Sequence, residues 1–548
     1  MLAPRQIISF LLKRYFKYAA CILSGIVFLP GRMDAQLYDD YFFVKESNPW
    51  FTARNAAGLV HIDTARISTA AVSAEYIGGK FKDFNEAEKS LSLGAGAESF
   101  YQLGRSLVFF GSVRYRNTSF RNIAGSAFVD TYHLPFDLIE YEAHPGRAQQ
   151  NSYHLSGALA GRLSNAVSLG ARMDYKAADF AKYKDLRHRN SLMDLALSAG
   201  VRIEAGRKFE AGLDLIYRRS TESVNFGIYG TEDKTYWTLI SYADFMGRAE
   251  AFGEFGYTEK SRNMPLFNEY KGLGVQLAWH PSDKLTAFIS ASYLKRDGYY
   301  GKKSTYTVSF NEHKSTITEA YGRLDYSDGD ILQRLEGRFS QEDLSDYSNS
   351  FKELEKENSA RYYEYYTPVK RSDKIWTDFS ASYMLQTGLR KTPSGHLPQW
   401  TASIGYKFGQ SRESGFEYPF YRRQKLQTNL FSAEIRRNFI RKASVWGVRG
   451  GLSYSKGSGE PFKDGVYVQP SQGQAAPASM DTYLYEHYEF VTAGKFAVCA
   501  AVRYTFPAKE LGLCPYIDFE YRLLHSPSPE YLGSSSRHCM QLTIGASF

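Results

Sequence analysis

Eleven histidines are spread along the chain, and any hydrolytic or metal chemistry would have to be built around some of them. His61-Ile62-Asp63 sets a histidine beside a carboxylate, the beginning of a general-base arrangement. A lipase-type site would add a serine nucleophile, and a protease-type site would add paired acids. Neither can be picked out. His133, His144 and His154 are spaced too widely for the compact ligand patterns of a zinc site and read as solvated loop residues. Cys499, Cys514 and Cys539 are an odd number in no zinc or redox spacing and read as free thiols. The run RYYEYYTPVKR at 361–371 stands out among the polar stretches. Its Arg361, Tyr362, Tyr363, Tyr365 and Tyr366 suit stacking on a sugar or a partner, or continue an aromatic girdle above a bilayer. GAG at 94 and GLG at 272 precede no helix, so they are strand kinks and not phosphate cradles. The expectation is a protein without catalytic residues, metal or cofactor. The alternatives are a hydrolase with its site at the extracellular loop mouth, or a structural or partner-binding barrel.

Whatever these residues do, β-strands must position them. In RHCMQLTIGASF, Met540, Leu542, Ile544, Ala546 and Phe548 alternate with Cys539, Gln541, Thr543, Gly545 and Ser547, the period of a strand with one apolar face. KFAVCAAVRYTF and PYIDFEYRLL repeat the pattern with charges on the other face. Fifteen further segments follow it, from 66–77 to 443–456, so the chain reads as about 18 strands, within a range of 14 to 18. Short turns such as SNA near 164 and SDGD near 327 alternate with long connections at 118–151, 219–271, 343–372 and 457–491. The composition agrees, with 42 Tyr, 37 Phe and a mean hydropathy of −0.41, and no apolar run after residue 36 long enough for a membrane helix. These features predict an all-β, transmembrane, antiparallel up-and-down barrel at 66–548, with short periplasmic turns and long extracellular loops.

The N-terminus reads as an export signal over 1–35. Basic residues through Lys17 precede the apolar AACILSGIVFLP, and Ala35 precedes Gln36 as at a signal-peptidase site. Without that signal the 67 basic and 58 acidic residues become 62 and 57, dispersed along the chain, which excludes a nucleic-acid surface. Segment 36–65 has no strand period but carries Asn48, Pro49, Trp50, Phe51 and Asn55. It reads as a periplasmic tail or a lumen plug, and the plug is favoured because its exposed apolar groups would be a liability in water.

The strands, the terminal Phe548 and ESFYQLGRSLVFFGSVRYRN at 98–117 resemble a family of Bacteroidota outer-membrane β-barrels that has no assigned activity. A terminal strand ending on an aromatic also resembles the outer-membrane assembly signal. NPWFTARNAAGL at 48–59 resembles the N-terminal segment of the long-chain fatty-acid transporter family, whose Asn-Pro-Ala element sits in a lumenal hatch. Here the corresponding residues are Asn55-Ala56-Ala57, with a proline only at Asn48-Pro49. The resemblances imply an outer-membrane location in contact with lipid and the assembly machinery. The expected function is to pass or bind a small solute, as a channel or as an accessory to an uptake system such as a TonB-dependent receptor or surface lipoprotein.

Overall fold

A computed structural model describes residues 41–62, 66–104, 106–206, 208–228, 235–253, 256–259, 264–304, 307–355, 361–392, 395–441, 444–506 and 513–548. The predicted export signal lies outside them. The wall begins with β1 (Arg66–Gly78), β2 (Lys89–Leu103), β3 (Leu107–Ile123), β4 (Gly146–Arg162), β5 (Val167–Lys182) and β6 (Arg187–Ala205). It continues through β7 (Phe209–Gly227), β8 (Met264–Ser282), β9 (Leu285–Ser304), β10 (Thr307–Asp328), β11 (Ile331–Ser348) and β12 (Val369–Thr387). It ends with β13 (Trp400–Glu417), β14 (Phe420–Arg441), β15 (Ser444–Val466), β16 (Lys495–Thr505), β17 (Cys514–His525) and β18 (Ser536–Ser547). Each strand pairs antiparallel with the next, and β18 returns to β1 with Ala546 opposite Ala70 and Met540 opposite Tyr76. The result is a closed 18-stranded barrel.

Closure follows from the chemistry of a backbone in hydrocarbon, where an unpaired N–H or C=O has no water to turn to. The last bond is made reciprocally. Ser68 N–H donates to the Phe548 carbonyl at 2.7 Å, and Phe548 N–H donates to the Ser68 carbonyl at 2.9 Å. Arg66 lies over the Phe548 ring, 5.4 Å from its centroid. Met540, Leu542 and Ile544 face outward, whereas Ala546, on the same face, is buried beside this seam.

The outer face carries Leu215, Leu277, Ile404 and Leu452 at its middle and aromatics at two levels. Phe209 and Trp279, and Trp446 and Tyr504, pair near the short-turn end, while Tyr115 and Tyr153, and Tyr454 and Phe496, pair higher up. From Trp446 to Tyr454 the strand rises ~3.3 Å per residue at a tilt of ~40°, which separates the girdles by roughly 20 Å, the scale of an outer-membrane apolar band. Above the upper girdle the strands run on, so the predicted long connections shorten to 124–145, 228–263, 349–368 and 467–494. Periodicity missed these extensions because a strand that has left the bilayer no longer needs an apolar outer face.

Two bodies fill the lumen. From the short-turn end enter α1 (Tyr41–Ser47), the single turn α2 (Pro49–Thr52) and a 3-10 turn over Ala56–His61. From the long-loop end the connections fold inward. Residues 137–140, 237–243, 246–251 and 478–479 pair into a four-stranded sheet, flanked by α3 (Asp481–Thr492). Phe136, Leu138, Ile240 and Tyr242 of these connections pack on Val224, Phe226, Leu266 and Tyr300 of the wall. The inner face is therefore apolar where the loops dock and charged below. Placing a charge at the centre of the lipid band tests the inside-out assignment. Leu215→Arg is expected to destabilise the vesicle-inserted barrel by ~2–4 kcal/mol in equilibrium urea unfolding, and an unchanged midpoint would contradict it.

Candidate functional site: a lumen divided by two inserts

The N-terminal insert is shaped by two caps. Asn48 Oδ1 accepts from Trp50 N–H at 3.0 Å, with Pro49 at the first helical position, and Asn55 Oδ1 accepts from Ala57 N–H at 3.0 Å. Asn55 is also the main link to the wall. Its Nδ2 donates to the Gln276 side chain at 2.9 Å and approaches the Val201 and Leu213 carbonyls at 3.1 and 3.3 Å. That approach depends on glycine. A side chain at Gly170 would strike the Ala56-Ala57 backbone, and one at Gly200 would strike the Asn55 carboxamide. One at Gly212 would fall 2.8 Å from Trp50 and 3.0 Å from Asn55 Nδ2. Gly170 and Gly200 are register partners on β5 and β6, and Gly212 follows on β7, so three adjacent strands offer a flat seat.

Other wall side chains complete the fit. Tyr41 Oη and Lys45 Nζ each donate to Glu98 Oε1 at 2.5 Å, and Arg114 holds the other oxygen at 2.9 Å. The last carbonyls of α1 would otherwise be unsatisfied. Arg334 donates to that of Glu46 and Arg323 to that of Ser47, each at 3.1 Å. Trp50 is buried edge-on to Phe288, with ring centroids 5.2 Å apart.

Between this insert and the inward loops lies a chamber of about 350 Å³, lined by Arg54, His154, Asp174, Lys176, Arg218 and Glu319 among others. Its charges are paired. Arg218 and Asp194 lie 2.5 Å apart, Arg172 and Asp174 2.7 Å, and Arg54 of the insert and Glu319 of the wall 2.8 Å. Lys176 faces Asp130 of the loop at 3.5 Å. A smaller chamber of about 130 Å³ adjoins it and shares Arg218, Tyr270 and Glu319. There Glu222 accepts from Val129 N–H at 2.7 Å, while buried Arg296 holds Asn268, Glu342 and the His133 carbonyl. Tyr132, His133 and Leu134 divide this space from a third chamber of about 560 Å³. Tyr132, His133 and Trp376 form a ring stack with centroid spacings of 3.7 and 4.2 Å.

Several predicted residues sit elsewhere than expected. His133 is buried against Glu342, with Nδ1 to Oε2 at 2.8 Å, and His154 lies on the inner face of β4, so neither is a solvated loop histidine. The inward fold of the loop, which no local pattern announces, is the reason. Among the described residues no three metal-ligating side chains converge. His61 Nε2 of the insert meets Glu210 of the wall strand β7 at 3.1 Å, and Asp63 lies outside the described residues. Cys499, Cys514 and Cys539 are in no disulfide, and Cys499 Sγ donates to Glu520 at 3.6 Å. The tyrosine run is a strand, Arg361–Tyr365, that pairs with Phe351–Glu355 beyond the bilayer girdles. Arg361 binds Glu353 at 3.0 Å, Tyr363 packs on Phe351, and Tyr365 Oη donates to the Thr307 carbonyl at 2.9 Å. Tyr366 is exposed. The glycine seat and the divider at 132–134 went unread, although small residues on the inner face of three successive strands were a usable signal.

Residues 56–548 match the family of unknown function DUF6850. The chain belongs to this family. The DUF6850 match begins within the 3-10 turn of the N-terminal insert and includes the whole wall. No curated protein matches the sequence. Among solved structures, the chain is similar to a Pseudomonas aeruginosa FadL homologue (9% identity, 95% of this chain and 99% of that one, TM-score 0.30). It is also similar to the Ralstonia pickettii toluene transporter TbuX (9%, 90% and 92%, 0.29) and to the ferric preacinetobactin receptor BauA of Acinetobacter baumannii (8%, 88% and 80%, 0.36).

The seat can be tested without touching the insert. In Gly170→Val the insert should be displaced and trypsin should cut at Lys45 and Arg54, while heat-modifiable gel mobility reports an intact barrel. Asn55→Ala, which loses hydrogen bonds of ~0.5–1.5 kcal/mol each, should raise the cleavage rate several-fold. Equal resistance in all three proteins would contradict the seating.

Proposed function

We propose that this protein is an outer-membrane passage for a small solute, exported by its N-terminal signal, with residues 41–62 as the periplasmic gate and the inward loops as the outer gate. The observation that carries the reading is the part-open 350 Å³ chamber, which lies between two inserts held by different parts of the chain. A barrel built only as a scaffold has no need of a polar chamber flanked by two inserts. Paired charges line it, so a solute entering meets hydrogen-bonding groups without an unbalanced buried charge. The gates are anchored through side chains, Asn55 on one and Glu222 on the other, and no strand of the wall must break to release either.

Planar-bilayer conductance and liposome swelling test this with the full mature chain and a variant lacking residues 36–64. The full chain should be nearly silent, and the shortened one should conduct or admit small sugars at least ~10-fold faster, since a removed plug leaves an aqueous path. If both stay silent while the shortened barrel remains folded, the passage reading fails.

A further inference from the structure

The third chamber is bounded by β12, β13 and β14, by the tip of the inward hairpin 237–251 and by α3. It is rich in carboxylates, several of which are already engaged. Asp83 accepts from Phe84 N–H at 2.8 Å and faces His487 Nδ1 at 3.0 Å. Burial works to lower the His487 imidazole, but Asp83 outweighs it and carries the group above its ordinary value, as a protonated partner requires. Glu413 accepts the Trp376 indole N–H at 3.2 Å and lies 3.6 Å from Lys374 Nζ. Asp137 accepts from the Ser126 hydroxyl at 2.6 Å and from Leu138 N–H at 2.7 Å.

Asp244 is different. It stands at the hairpin tip, only 8% exposed, and its Oδ2 is buried with no hydrogen-bond partner. Arg422 is close, yet its guanidinium is committed to Asp464 and Ser479 and reaches Asp244 only at its backbone carbonyl. Asp378, exposed on the inner wall, faces the same space. A buried carboxylate oxygen without a donor carries its full desolvation cost, and a cationic donor would remove it. The surroundings suit a cation carried on carbon, because Trp376, Phe84 and Phe245 line the chamber and aromatic faces attract such groups. A metal ion is poorly served, since no three ligating side chains converge among the described residues.

We propose that this chamber binds an organic cation, a guanidinium or alkylammonium group on a short apolar stem, with Asp244 as its counter-ion and Trp376 and Phe245 against the stem. The proposal names a solute class for the passage and takes its physiological meaning from that reading, but binding can be measured without transport. Burial first, and then Glu413, push the empty Asp244 carboxyl well above the usual carboxylate range, against the opposing pull of Lys374, Arg422 and His487. Binding a cation at neutral pH should therefore release a proton.

The experiment is calorimetry on the folded full mature chain in detergent, with 1-butylguanidinium and its neutral isostere butylurea as probes. The cation should bind at least ~10-fold more tightly, a difference of ~1.4 kcal/mol, with a heat that varies with the ionisation enthalpy of the buffer. Asp244→Asn should bring the two probes to equal affinity, and Asp378→Asn, on the barrel wall, should weaken the cation several-fold without altering heat-modifiable mobility. Equal binding of the isosteres to the wild type, no binding of either up to millimolar concentration, or a calcium titration that saturates the site and is lost in Asp244→Asn would each overturn the proposal. Failure of conduction with binding intact would overturn the passage and leave this site standing.

Discussion

Every backbone donor and acceptor between the two aromatic girdles must find a partner within the wall, and the reciprocal bonds between Ser68 and Phe548 complete that ring. The rest of the structure depends on this closure. A closed ring of eighteen strands encloses a space wider than its own inward side chains can fill, because barrel diameter grows with strand number. The interior must then be water, or something else must occupy it. This chain uses two inserted bodies, the N-terminal segment from one end and several folded-in connections from the other, and leaves small chambers beside them.

The inner wall is matched to what each insert presents. Where the loops dock, Val224, Phe226, Leu266 and Tyr300 form an apolar surface, and the loop residues over it pack as the core of a soluble domain does. One turn of strand below, β7 changes to Glu222 and Arg218, and the neighbouring contacts become hydrogen bonds and ion pairs. The same strand thus serves as core, as anchor for the 129–130 backbone and as chamber lining. Its outer face is apolar through Leu213, Leu215 and Tyr217 and turns polar at Arg219, Thr221 and Ser223, beside the level at which the inner face meets the loops.

The wall was legible in the sequence, because burial between lipid and lumen imposes a period of two on every strand, and each of the eighteen segments falls on an observed strand, overrunning its ends by at most two residues. The contents of the lumen were far less legible. Trp50 and Phe51 announce a segment that must bury itself, but nothing near Asn55 names Gln276 as its partner, since that contact is set by the register of four strands and by three missing side chains. His133 looked like any loop histidine for a related reason. Whether a loop projects into water or folds into its own barrel is decided by surfaces far away in sequence, here Arg296, Glu342 and Trp376. Asp244 carries no local signal at all, apart from sitting with Phe245 in a left-handed turn that Asn-Gly would fill more easily.

The two sides of the N-terminal insert differ in how easily they could be parted. Toward β1–β4, Tyr41, Phe51, Leu59 and Val60 pack on Ile67, Phe100, Val108 and Phe110, and separating them would expose apolar surface at ~25 cal/mol per Å². Toward β6–β11 one apolar anchor, Trp50 against Ala278 and Phe288, is joined by the polar contacts of Asn55, the Arg54–Glu319 pair and the arginines on the α1 carbonyls. Groups of that kind recover hydrogen bonds to water when they part, so each costs little net free energy to open. An insert whose larger apolar cluster lies on one side, with Trp50 as the apolar anchor on the other, resists extraction more than it resists tilting. If the lumen opens, the path of lowest cost lies along the polar side, beside Arg54 and the 350 Å³ chamber, with the apolar side as the hinge.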